Sequence, residues 1–298
     1  MTPRGRRVLQ GLLGGAALAG LAVALVRAMQ DAEDLTLPGA WRLVVSGAVL
    51  AVAVGSAASA WGRLLPGQRF VDVLPGYSLA QVTKYLPGSV WQGVGQVADA
   101  GRLGVPFATG SFLFLVQMGL QAIAASAASV LAIFAVELPG VLVIPVVAGP
   151  LALLLVRRRW LDLALRMAAG RMRRIQRAEI TLPSQGQLTD AATRSLICIL
   201  GVGASFAVLV PTTGGTREFV GAAGVFILAW LVGFLVVPLP AGLGVREAVL
   251  VLGLGSTYGT AEVLAAAVLA RVVLVVVEGG YVAVGQMLRI GRAQRSTG

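Results

Sequence analysis

The sequence predicts an all-α fold: a polytopic membrane bundle of about eight crossings with two broken or re-entrant helices. Three observations carry that expectation. The first is composition. Mean hydropathy is +0.86. Of the 298 residues, 57% are hydrophobic and 12% charged, where a soluble domain carries about 45–50% and about 25%. The second is that apolar runs reach about 20 residues, the length that spans a bilayer core. The third is that proline and glycine interrupt two membrane-scale segments, Leu86-Pro87-Gly88 and Leu239-Pro240-Ala241-Gly242.

Composition also excludes chemistry. The net charge is +11. In a soluble chain that would suggest nucleic acid, but here the arginines cluster between apolar runs and read as cytoplasmic anchors, so no nucleic-acid partner is expected. Cys198 is the single cysteine, and it lies inside an apolar run, so no disulfide framework is expected within the chain. Histidine is absent. That removes imidazole bases, Ser-His triads and histidine metal sites, and no metal or cofactor is expected. No GxxxxGK[ST] loop is present to bind ATP.

The elements follow in order. Arg4, Arg6 and Arg7 precede an apolar run from Val8 to Val26, the first span; a cleaved signal peptide is the rival reading. Asp31, Glu33 and Asp34 mark an outside loop. A second span covers Leu43 to Trp61, and Arg63 and Arg69 bring the chain back inside. Residues 70–105 are less apolar and hold Pro75-Gly76 as well as Pro87-Gly88, so they are not a simple span. A third span runs from Phe107 to Val136, and a fourth, short one from Val141 to Val156, with Glu137-Leu138-Pro139-Gly140 turning between them. Residues 157–180 form a basic amphipathic helix on the inner leaflet: Leu161, Leu165, Ala168, Met172 and Ile175 recur at helical spacing among arginines. Further spans cover Ala191–Val210 and Val220–Val237, and residues 238–258 cross as a broken helix. The loop Ser256–Glu262 precedes a last span from Val263 to Met287, and Arg289, Arg292 and Arg295 close the chain. Basic residues at both ends and in the middle loop put both termini in the cytoplasm.

The two breaks share a pattern of Leu-Pro, then glycine, then a polar residue, and each follows two spans. Paired interruptions in corresponding halves point to a transporter's binding site. At the first, Pro87 disfavours helix at Leu86, so a helix should end near Tyr85. Gly88 permits a turn, and Ser89 with Gln92 three residues on forms a capping-box pattern that starts a new helix. The free N–H groups of that helix suit an anion, and Lys84, the chain's single lysine, lies beside the gap. At the second, Pro240 ends a helix, Gly242 and Gly244 shape a turn, Arg246 adds positive charge, and Glu247 sits three residues after Gly244. A phosphate-bearing headgroup would suit this pair of sites. The competing reading is two interfacial turns whose charges snorkel to water.

Arg271 and Glu278 lie inside the last apolar run, seven residues apart and so on one helix face. A charge at mid-membrane costs about 2.5–3.5 kcal/mol on the insertion scale, so each faces a partner or a cavity. An ion pair of Arg271 with Glu247 is one reading and cavity lining the other. Gln117 and Gln121 read as packing groups that hydrogen-bond neighbouring helices.

Lys84-Tyr85-Leu86-Pro87-Gly88-x-x-Trp91 and Pro238-x-Pro240-x-Gly242-x-Gly244-x-Arg246-Glu247 resemble the two signatures of the lysylphosphatidylglycerol synthase transmembrane region, the flippase-like domain family. The resemblance reaches from the second span to Arg271. It implies that residues 1–298 are a single transmembrane flippase-like domain in a bacterial inner (plasma) membrane, moving lipids between leaflets. In two-domain members the lipid is an aminoacylated phosphatidylglycerol made by a C-terminal synthase domain. Other members are linked to hopanoid transport. This sequence departs at Ala241, where the family often has glycine, and at Gln96, where it often has arginine. No synthase domain is expected, because the chain ends soon after the last span; a separate lipid-modifying enzyme is then a candidate partner.

Three functional classes follow. The first is a flippase or transporter for lipids with anionic or aminoacylated headgroups, in which Glu247, Glu278 or Asp99 accepts a cationic group. The second is a membrane-embedded enzyme that modifies lipid headgroups, with Asp72, Asp99 or Glu247 as base. The third is an accessory membrane subunit.

Overall fold

The structure, a computed structural model, describes residues 38–85, 91–135, 149, 151–152, 156–163, 180–212, 215–235 and 244–296. The expected first span, Pro87-Gly88, most of the 141–156 span, residues 164–179 of the basic amphipathic stretch, and Pro240 with Gly242 lie outside the described residues. Among the described residues the fold is all-helical, with no strand. We label the helices α1 (Ala40–Leu64), α2 (Phe70–Val82), α3 (Trp91–Arg102), α4 (Phe107–Ala128), α5 (Gln185–Leu209), α6 (Thr216–Leu235), α7 (Val245–Tyr258) and α8 (Thr260–Ser296). A short 3₁₀ turn, Thr83–Tyr85, ends α2, and another, Ser129–Phe134, extends α4.

Five of these segments are long and apolar enough to cross a membrane: Ala40–Leu64, Phe107–Phe134, Gln185–Leu209, Thr216–Leu235 and Thr260–Ile290. Each coincides with an expected span. Together they make the chain a membrane protein.

α1 and α5 pair antiparallel along their whole length. At one end Arg63 bridges Asp190 at 2.5 Å, and Arg194 donates to Ser59 Oγ at 2.8 Å. Midway, Ala53 packs on Gly201. At the other end Ser46 and Ser205 share a hydrogen bond of 2.8 Å, and Arg42 donates to the Val210 carbonyl. Ser184 caps α5: its hydroxyl accepts from Gln187 N–H, and the Gln187 side chain accepts from Ser184 N–H, which pins the start of the helix. Around this pair, Trp61, Leu64, Leu113 and Leu188 fill one core, while Phe206, Phe226, Leu250 and Leu254 fill a second. Arg63, Arg69, Arg102 and Arg289 gather near the first end, which we call the basic end.

α2 and α3 form an antiparallel hairpin. Gln92 donates to Gln81 at 3.1 Å near its tip. Asp99 lies against Gly76 further back, and Gln68 donates to the Leu103 carbonyl at 3.2 Å across its base. The base follows directly from Leu64 and leads directly to Phe107, so the hairpin starts and finishes at the basic end. With 13 and 12 residues, at about 1.5 Å per residue, the hairpin reaches roughly 18–20 Å, more than half of a hydrocarbon core of about 30 Å. Each arm of the 70–105 hairpin is therefore shorter than a full crossing.

Pro75 is the sixth residue of α2, beyond its first turn, so the helix forgoes the bond from that position to the Val71 carbonyl. One local expectation is corrected: the loop expected over Ser256–Glu262 is absent. α7 stays helical to Tyr258, α8 starts at Thr260, and Gly259 alone joins them. Polar side chains at a bundle end mimic a loop in sequence, yet they leave the backbone free to stay helical.

α6, α7 and α8 form the second discontinuous unit. Arg246 near the start of α7 stacks on Phe226, midway along α6, at 5.3 Å. Tyr258 at the end of α7 lies near Glu218 in the first turn of α6. α7 thus runs from the middle of the bundle to the end opposite the basic one, a length of 14 residues or about 21 Å. α8 then returns antiparallel to α7 and continues past the hairpin to the basic end. The two discontinuous elements enter from opposite ends and meet along one helix.

Candidate functional site

One stripe of α8 carries the meeting. Arg271, Glu278 and Gly285 follow at intervals of seven residues, with Arg289 one turn further, so all four share a face. Each touches a different level of the discontinuous elements. Arg271 pairs with Glu247 at the start of α7. Glu278 pairs with Lys84 at the hairpin tip. Gly285 packs on Pro75 and Ser78 in α2 so closely that a Cβ there would lie 2.9 Å from Pro75 Cα. Arg289 bridges Asp99 of α3 at 3.0 Å. The first two ion pairs are about 10 Å apart along the α8 axis at about 1.5 Å per residue.

The start of α7 explains how Glu247 is held. Gly244 precedes it at φ 85, a left-handed conformation that glycine adopts without strain. The Gly244 N–H then donates to Glu247 Oε2 at 2.8 Å, while Glu247 Oε1 accepts from Arg271. One carboxylate therefore caps the exposed start of the helix and satisfies one of its free N–H groups.

Lys84 lies in the 3₁₀ turn that closes α2 and donates to Glu278. Glu278 is 4% exposed and Lys84 27%. A narrow cleft beside the carboxylate is lined by Val54, Leu74, Tyr77, Gln81 and Tyr281. The Tyr281 hydroxyl donates to the Ala51 carbonyl at 2.8 Å and ties this part of α8 to α1.

The residues expected at the site fall into three groups. Lys84, Glu247, Arg271 and Glu278 converge on the α8 stripe. Of the two readings of Arg271, the structure forms the pair with Glu247; the Lys84–Glu278 pair was not foreseen. Gly244 and Gln92 hold local geometry. Gln92 joins the two arms of the hairpin through Gln81, and Ser89, its expected capping partner, lies outside the described residues. Arg246 lies over Phe226, and Trp91, the first residue of α3, is 45% exposed. The Tyr85 backbone completes the 3₁₀ turn, and Pro87, Gly88, Pro240 and Gly242 are outside the described residues.

Sequence reasoning missed three features. Arg289, read as a terminal anchor, pairs with the buried Asp99. Gln81 and Tyr77 line the cleft, and nothing in their local pattern sets them apart. Gln96 is fully buried, and neither polar atom of its side chain has a hydrogen-bond partner among the described residues. A signal for the Asp99 side did exist: Gln92, Gln96 and Asp99 recur at helical spacing on α3. Gln117 behaves as expected, donating to the Ala57 carbonyl at 3.2 Å.

The fold and this stripe define the class: a helical membrane protein in which partly buried ion pairs tie two short helical elements to one long apolar helix. No protein-family model matches the chain, and no curated protein matches it.

Proposed function

We propose that the chain is a lipid flippase or transporter of the flippase-like domain type, moving a lipid with a phosphate-bearing headgroup between leaflets. The observation that carries this is the convergence of two discontinuous elements, from opposite ends, on paired charges inside an apolar helix. Charged groups and helix termini at mid-bundle are expensive unless they serve a polar path. Half-helices meeting at the membrane midplane are how transporters build such a path. In this reading the headgroup passes along the seam between the hairpin and α8 while the acyl chains stay in lipid.

The full topology belongs to the same proposal. The hairpin adds no crossing. The expected spans over 8–26 and 141–156, with 238–258 crossing as a broken helix, bring the count to eight. In this reading the end rich in arginine faces the cytoplasm of a bacterial cell, as do both termini.

Leaflet exchange in proteoliposomes tests the function. The probes are fluorescent phosphatidylglycerol, its aminoacylated form and a polyprenyl phosphate. The expected result is faster exchange of at least one of them with the intact chain, lost with Lys84→Ala. Folded protein that exchanges none of them would favour a headgroup-modifying enzyme or an accessory subunit.

A further inference from the structure

We infer that Glu278 is a proton-binding site and that the chain carries one proton with each anionic phosphate group. This rests on the flippase reading and adds the ion that is co-transported. The argument is one of charge balance. Lys84 and Glu278 form a pair that is neutral as a unit, with the carboxylate 4% exposed on an otherwise apolar stretch of α8. A phosphate that engages Lys84 while Glu278 stays ionised puts two negative charges beside one positive charge, away from water. A low-dielectric site strongly disfavours that state. A proton on Glu278 removes the excess. Lys84 is released, the phosphate takes its charge, and the loaded site is again neutral. The empty pair and the loaded site are the two neutral states; an anion alone or a proton alone is not.

The groups that face Glu278 fit that role. From α2 come Tyr77, Ser78 and Gln81, from the 3₁₀ turn after it Lys84, and from α8 itself Tyr281. α1 contributes Val54 and Ala58, which do not titrate. Cys198 of α5 lies near Tyr77 and Lys84. Arg271, two turns away, is engaged by Glu247, and Arg289, three turns away, by Asp99. Glu278 is thus an acidic group in direct contact with Lys84, which lies in the turn that ends α2. Buried carboxylates within membrane helices are the usual stations for transported protons.

The test uses the full chain in proteoliposomes with fluorescent phosphatidylglycerol, between pH 5.5 and 8.5. Only protein protonated at Glu278 is competent, so exchange should fall as the pH is raised. Glu278→Gln mimics the protonated form: its exchange should be independent of pH and should exceed the wild-type rate at pH 8.5. With a pH gradient across the vesicle, the wild-type chain should concentrate the label in the leaflet on the alkaline side, and Glu278→Gln should only equilibrate it. Phosphatidylethanolamine, whose headgroup carries its own ammonium, should show no such gradient response. Radiolabelled inorganic phosphate in the same vesicles separates a lipid headgroup from a free anion: proton-dependent phosphate flux without lipid exchange would keep the proton site and overturn the flippase reading. Phosphatidylglycerol exchange that ignores both pH and gradient, or Glu278→Gln with a wild-type pH profile, overturns the inference and leaves the flippase reading standing. Folded protein that moves neither lipid nor phosphate at any pH removes both.

Discussion

Lys84→Ala should lower the stability of the folded chain by roughly 3–5 kcal/mol, the usual cost of stranding one member of a buried ion pair, and should stop lipid exchange. The two losses have different causes, and a second substitution separates them. Lys84→Ala leaves the Glu278 carboxylate without its cation in a setting where it is 4% exposed. Adding Glu278→Gln removes the stranded charge, so the double variant should recover most of the stability. It should recover none of the exchange, because the cation that receives the phosphate is still missing. Thermal unfolding in detergent and leaflet exchange on the same preparations give both readouts. Recovery of exchange together with stability would reduce the pair to a structural clamp.

Glu247 should show a steep dependence on which side chain replaces it. Its carboxylate does two things at once: it accepts the Gly244 N–H at 2.8 Å and it pairs with Arg271. Glu247→Ala removes the cap and strands Arg271, whose side chain is 28% exposed. The expected loss approaches the same 3–5 kcal/mol, with about 0.5–2 kcal/mol of it from the cap. Glu247→Gln keeps one carbonyl oxygen, enough for one of the two donors, and turns an NH2 toward the other, so it should cost less than alanine but not nothing. The comparison is again a pair of unfolding midpoints in detergent. Similar midpoints for the two variants would mean that the start of α7 is held by something other than this carboxylate. The Arg271 and Glu278 pairs are about 10 Å apart along α8, so their costs should add closely.

Much of this architecture was legible in the sequence because it is written in local patterns. Runs of about 20 apolar residues gave five spans, and Pro and Gly after Lys84 and before Glu247 marked the two discontinuous elements. The Arg271–Glu247 pair was within reach too: the partners are 24 residues apart on successive antiparallel helices. What stayed hidden is non-local. Lys84 and Glu278 are 194 residues apart, and Asp99 and Arg289 are 190 apart. No periodicity connects such pairs; only the packing of the hairpin along α8 brings them together. Arg289 looked like an anchor because an arginine after a span ordinarily is one.

The central claim is that a headgroup passes between the hairpin and α8, so the hairpin must separate from α8. A reducible lock tests it. A Cβ at position 285 would lie 3.0 Å from the Ser78 hydroxyl oxygen, about the distance from a Cβ to the far sulfur of a disulfide. Ser78→Cys with Gly285→Cys, in a Cys198→Ala background free of other thiols, can therefore be oxidised and reduced in the proteoliposome. Position 285 is tight, and the reduced protein is the control for that crowding. We expect lipid exchange to stop on oxidation and return on reduction. Exchange at an unchanged rate with the disulfide fully formed would contradict the account.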